Sequence, residues 1–145
     1  MQKGELHRLL SRVYRTHYRR SFAEFSKFGI TQGQPRILNF LARADGCMQR
    51  ELAEHCNIEP ATVTSALGTM ERDGLIARLP DAADRRVTRV FLTDKGRDAQ
   101  RRVMAVFGAL EDECFRGFSE DEREQAMRLL SRMHANMKAG EGGGC

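Results

Sequence analysis

The sequence predicts a mainly α-helical fold carrying one small β-hairpin, and three observations predict it. Two short amphipathic helices joined by a tight turn occupy residues 49–73. Gly74 then stops the second helix, as a glycine at the C′ position does. Two β-branched and aromatic stretches follow, on either side of the charged tip Asp81-Ala82-Ala83-Asp84-Arg85-Arg86. Two helices packed at a steep angle leave the second free to enter a major groove. The arrangement reads as a winged helix-turn-helix.

Taken from the N-terminus, Leu6, Leu9, Leu10, Val13, Tyr14 and His17 recur at helical spacing, which predicts an amphipathic helix over 5–28. Gly29 interrupts it. Thr31 is placed to cap a second helix, with Ile37, Leu38, Phe40 and Leu41 facing inward. Gln49 to Cys56 forms the next helix and Asn57-Ile58-Glu59-Pro60 the turn. Asn tolerates the left-handed backbone such a turn needs. Glu59 is expected to help cap the helix from Ala61 to Asp73, whose first turn suits Pro60. Leu52, Cys56, Ile58, Val63, Ala66, Leu67 and Met70 make the apolar stripes.

The opposite face of that second helix carries Thr62, Thr64, Ser65, Thr69 and Arg72. Short hydroxyls contact bases or phosphates at close range, and a Thr methyl meets a thymine methyl. Ile76 to Leu79 and Val87 to Leu92 read as the hairpin strands. Arg78, Arg85, Arg86 and Arg89 around them offer guanidinium groups to a minor groove, where negative potential concentrates. Asp84 is placed to orient Arg86, and Gln49 and Arg50 stand where a helix start meets phosphate. Beyond the hairpin, Thr93 caps a long helix to about Phe115, with Val103, Phe107, Leu110 and Cys114 on one stripe. Ser119 and Glu122 make a capping box for a last helix carrying Ala126, Leu129, Leu130, Met133 and Met137.

Asp84-Arg85-Arg86, followed by Leu92-Thr93-Asp94-Lys95-Gly96, resembles the signature of the MarR family of transcriptional regulators. There a "DRR" wing leads through a strand into an "LT-x-x-G" helix start. Glu71 to Arg78 is similar to the family's "LE-x-x-G-L-I-x-R" segment, with Met70 in place of Leu. Thr31-Gln32-Gly33-Gln34 resembles its "LT-x-x-Q" start, with Ile30 in place of Leu. The resemblance covers roughly Leu6 to Met137. It implies a wing arginine, Arg86, inserted into the minor groove beside its orienting Asp84. Ala83 stands where many members carry another Arg, and Ala61 where a Ser is common. The resemblance also implies control by a small anionic aromatic ligand, held between dimer helices and the DNA-reading lobe. Tyr14, His17, Tyr18, Arg20, Phe40 and Phe107 are the residues to supply aromatic walls and a cation.

Composition sets bounds on this reading. The chain has 145 residues, 41% of them hydrophobic, and a net charge of +4. Its distribution says more: residues 1–43 hold nine Lys or Arg against two acids, and residues 72–102 hold nine against five. Phosphate attraction then comes mostly from the wing and neighbouring helix ends, and is salt-sensitive. No segment reads as a signal peptide or a membrane span, so a cytoplasmic location is expected.

The expected organisation is one winged-helix domain over 1–139, with a DNA-binding lobe at 31–92. Helices 5–28 and 97–138 serve dimerisation, and a flexible Gly-rich tail occupies 140–145. End helices that a winged unit does not itself need point to a homodimer, which the resemblance also implies. Its expected partner is double-stranded DNA, at a near-palindromic operator.

Three other readings compete with this one. Enzyme activity is not expected: His55 and Cys56 are adjacent and point apart on a helix, and no phosphate-binding glycine loop occurs. No metal site or cofactor is expected either, since no Cys/His spacing fits zinc. A thiol-based redox sensor on the same fold is the main alternative. Relatives of that type use a first-helix Cys, which residues 1–46 lack, while Cys47 and Cys145 are expected to be exposed. A helix-turn-helix retired into protein interaction does not require the wing arginines.

Overall fold

The computed structural model describes residues 2–141. Among these, α1 (Glu5–Phe25) is followed by a 3₁₀ turn (Ser26–Phe28), α2 (Gln34–Arg43), β1 (Cys47–Met48) and α3 (Gln49–Cys56). Then come α4 (Pro60–Arg72), β2 (Ile76–Pro80), β3 (Thr88–Leu92), α5 (Asp94–Cys114) and α6 (Glu120–Glu141). The fold is the winged helix-turn-helix the sequence predicts. The chain divides into two compact units, Met1–Leu110 and Glu111–Cys145.

In the first unit the helix-turn-helix forms for local reasons. The Met48 N–H donates to the Glu51 carboxylate at 2.7 Å, which satisfies a donor at the start of α3. Asn57, at φ 51°, turns the chain out of that helix, and the Ile58 N–H returns to the Ala53 carbonyl. Pro60 opens α4; Glu59 sits at its N-cap, but its side chain makes no cap bond, contrary to expectation. Gly74, at φ 74°, closes α4: its N–H bonds the Glu71 carbonyl and the Leu75 N–H bonds the Met70 carbonyl. Thr31 does not cap α2 either. Gly33 holds the N-cap, and the Thr31 N–H donates to Gln34 Oε1.

Phe25, Ile37, Leu38, Leu41, Leu52 and Leu67 are fully buried and form the centre of the core. Each such side chain contributes about 1.5–3 kcal/mol relative to exposure. The sheet is antiparallel in the order β1-β3-β2. Ile76 faces Leu92 and Pro80 faces Thr88, while Cys47 faces Val90 and Met48 faces Arg89. The sequence predicts only two strands; β1 has two residues, too few to show a period.

Thr93 fixes the start of α5 to the hairpin. Its hydroxyl donates to the Gly74 carbonyl and accepts from the Gly96 N–H, and its own N–H bonds the Leu75 carbonyl. Gly96 is required by this approach: a Cβ there would lie 1.9 Å from the Leu75 carbonyl oxygen. The Asp45 carboxylate adds two further ties, accepting from the Leu92 N–H and from Arg97.

In the second unit the Ser119 hydroxyl and the Glu122 carboxylate cap α6 reciprocally, as expected. Arg123 binds Glu111 and Asp112, each at 3.3 Å, and lies over the Phe115 ring. Helix α6 continues through Gly140 to Glu141, so the tail expected from residue 140 does not begin there. Residues 142–145 lie outside the described residues.

Candidate nucleic-acid interface

Helix α4 buries Val63, Leu67 and Met70 and turns its other face outward. Thr62, Thr64, Ser65 and Arg72 are exposed, and Thr69 is half-buried. The hydroxyls are not equivalent. Thr64 Oγ1 donates to the Pro60 carbonyl and accepts from Gln49 Nε2 at 3.3 Å, which ties the start of α3 to α4. Thr69 Oγ1 donates to the Ser65 carbonyl and accepts from Arg72. Thr62 and Ser65 are the hydroxyls left without a hydrogen-bond partner among the described residues. They line a groove of about 370 Å³ together with Thr31 and Gln32, ahead of α2. Sequence reasoning missed Thr31 and Gln32 as part of this face, because it assigned Thr31 to a helix cap.

At the wing tip, Arg86 meets Asp84 through both ends of its guanidinium, Nε to Oδ1 at 3.0 Å and Nη2 to Oδ2 at 3.2 Å. The Arg86 N–H also donates to Asp84. These bonds hold the Asp84 carboxyl below its usual range. The Arg86 side chain is nonetheless 91% exposed, so it is aimed without being covered. Arg85 is exposed beside it. Arg86 also borders a cleft of about 490 Å³ with Gln49, Arg50 and Thr64.

Arg78 and Arg89 do not join them, contrary to the sequence reading. Arg78 bonds the Glu71 carboxylate through Nε and Nη2, at 3.2 and 3.0 Å. Arg89 is bound to Asp81 and to the Gly46 carbonyl. Of the four wing arginines, two hold the scaffold and two are offered outward.

A larger cleft of about 680 Å³ lies between α1, the approach to α2 and the helix-turn-helix. Tyr14, His17, Tyr18 and Phe107 line it, four of the six residues expected. Phe40 does not: it stacks on His55 with ring centres 5.1 Å apart. Arg20 is exposed and also lies outside the lining. The lining cation is Arg36, whose guanidinium donates to the Cys56 carbonyl at 3.3 Å. Nothing local in the sequence distinguishes Arg36 from other surface arginines.

Of the two core thiols, Cys56 is buried on its apolar stripe as expected and Cys47 departs from expectation. Cys47 is buried, not exposed, and burial pushes its pKa up to about 11. Burial raises Cys56 as well. A protonated buried thiol is a poor nucleophile. Cys145 lies outside the described residues. Among the described residues no group of three or more His, Cys, Asp or Glu is placed to hold a metal ion. No helix among them is long and apolar enough to cross a membrane.

A sequence model of the MarR family matches residues 28–87, from the approach to α2 to the end of the wing loop. The crystal structure of a MarR transcriptional regulator from Methanosarcina mazei Go1 is similar with a TM-score of 0.84, over 96% of this chain and 93% of that one, at 25% identity. The chain belongs to the MarR family. As a MarR-family protein it is a DNA-binding transcriptional regulator. The HTH-type transcriptional regulator BilQ of Clostridium symbiosum is 26% identical over 131 residues, covering 87% of this chain and 91% of BilQ. A crystal structure of a mutant MarR from E. coli complexed with operator DNA is similar with a TM-score of 0.76 at 25% identity, over 88% of this chain and 92% of that one.

Proposed function

We propose that the chain acts as a homodimer, binds a near-palindromic operator and represses transcription until a small anionic aromatic ligand releases it. The observation that carries the DNA-binding part is Arg86: a 91% exposed guanidinium held from behind by Asp84, on the same unit as the outward Thr62 and Ser65 face. Arg86 enters a minor groove, where negative potential favours a guanidinium. Thr62, Thr64, Ser65, Thr69 and Arg72 meet the adjacent major groove, and Arg85, Gln49 and Arg50 meet phosphates.

Dimerisation is supported by apolar side chains that the single chain leaves open. Leu9, Val13 and Tyr14 of α1 are more than half exposed, and Leu129, Leu130 and Met137 of α6 are exposed as well. A two-fold pair sets two α4 helices at successive major grooves, about 34–36 Å apart. A dimer seated there blocks a promoter that overlaps its site.

Ligand response is supported by the 680 Å³ cleft, where Tyr14, Tyr18 and Phe107 give aromatic walls and Arg36 the cation. The same cleft touches Thr62 of α4 and Asn57 of the turn. A ligand that prefers a different placement of α4 lowers operator affinity by linkage.

The test is Arg86→Ala, read by fluorescence anisotropy on an operator duplex at fixed salt. Operator affinity falls by roughly ten- to a hundredfold, the scale of a lost groove contact; an unchanged affinity removes the wing from the interface. For the cleft, benzoate titrated against the preformed complex releases DNA, and Arg36→Ala blunts the release. No release at millimolar benzoate overturns its use as an anionic aromatic site.

A further inference from the structure

We infer that Arg89 and Asp81 are positioning residues that lock the wing to the helix-turn-helix, so that Arg86 and α4 are held in one fixed register. The inference rests on the reading of Arg86 as a minor-groove contact.

The observation is an unbroken series of bonds. Arg89 stands on β3, opposite Met48 of β1 and Leu79 of β2. Its Nη1 donates to the Gly46 carbonyl at 2.8 Å, in the turn that leads into β1 and α3. Its Nε donates to Asp81 Oδ1, at the root of the wing loop. The other oxygen of Asp81 accepts the N–H groups of Ala83 and Asp84, each at 3.1 Å. The backbone closes the loop further: the Asp81 N–H bonds the Val87 carbonyl, and the Val87 N–H bonds the Asp84 carbonyl. Asp84 then holds Arg86. From the approach to α3 to the groove-seeking guanidinium, every step is a hydrogen bond to a named atom.

The chemistry explains why an arginine occupies this position. Its planar fork serves two acceptors in different directions with fixed geometry, whereas an ammonium is a single point donor on a flexible stem. Asp81 is largely covered, at 15% side-chain exposure, and its charge is matched by Arg89. Without Arg89 the carboxylate loses its ionic partner and the loop its tie to β1. Arg86 keeps Asp84 in that case, but the pair moves with a freed loop.

A direct phosphate contact by Arg89 is the competing use of the same charge, and a double-mutant cycle on operator DNA separates the two. Arg89→Met and Arg89→Lys each lower operator affinity by about tenfold when the loss is one of positioning, with the slope against salt concentration unchanged. On an Arg86→Ala background, Arg89→Met then costs less than about twofold, because there is no longer a side chain to position. Asp81→Asn enters the same cycle from the loop side and gives the same non-additivity, which keeps the test open should Arg89→Met fold poorly. Additive losses with Arg86→Ala overturn the inference. So does an Arg89→Lys protein with wild-type affinity, coupled to a salt slope reduced by about one in Arg89→Met, since that is the mark of a phosphate contact. An Arg86→Ala protein with unchanged affinity overturns the wing reading itself, and the inference with it.

Discussion

The DNA-reading lobe and the end helices treat their apolar residues in opposite ways. In the lobe, the stripes of α2, α3 and α4 are covered by the same chain: Ile37, Leu38, Leu52 and Leu67 are each 0% exposed. In the first half of α1 and along α6, stripes of the same helical period stay open, with Val13 at 55% and Met137 at 72% exposure. The lobe has the core of a finished fold, whereas the end helices leave apolar side chains exposed. The period of a sequence establishes that a helix has an apolar face. It does not say whose surface covers that face.

Truncation in the two regions sharpens this contrast most strongly. Leu67→Ala, in the middle of the lobe core, lowers unfolding free energy by about 2–5 kcal/mol in denaturant titrations. Leu130→Ala, measured at chain concentrations low enough to keep the protein monomeric, changes it by less than about 0.5 kcal/mol. Equal losses at both sites would mean that α6 is covered by its own chain.

Charge placed in the open face gives a smaller effect on the fold and a large one on assembly. Val13→Glu leaves the melting temperature of the dilute chain within about 2 °C. It dissociates the proposed homodimer in size-exclusion chromatography with light scattering, and operator affinity falls with it. A Val13→Glu protein that still eluted as a tight dimer would break the comparison.

Acid titration has the smallest effect and is confined to the wing. Hydrogen bonds from Arg89 and Arg86 hold the carboxyls of Asp81 and Asp84 below their ordinary 3.8. Groups lowered in the folded state contribute stability that is fully present above the unfolded value and is lost as pH falls through the folded one. Wing amides therefore exchange faster only below about pH 4, while the lobe core stays protected. Loss of wing protection between pH 6 and 8 would contradict these pairings.

The lobe was legible in the sequence because its signals are local. Asn57 and Gly74 both take the left-handed backbone assigned to them, and Asp84 lies beside Arg86 as read. The misses are contacts between distant segments. Arg89 finds Gly46, 43 residues away, and that tie withdraws it from the outward arginines. Cys47 looked exposed until β1 paired with β3 and covered it. Arg36 reaches the large cleft because α2 packs beside the turn at Asn57, a neighbour its own segment does not announce. Asp81 left a faint local trace: an Asp two and three residues ahead of the N–H groups it accepts is a turn pattern.

The most direct test of the paired reader is the stoichiometry of the operator complex. Sedimentation velocity on one operator duplex, titrated with protein at low salt, should show two chains per duplex, with no stable one-chain species at half saturation. A tight complex of one chain with one half-site, formed while the free protein sediments as a monomer, would contradict it.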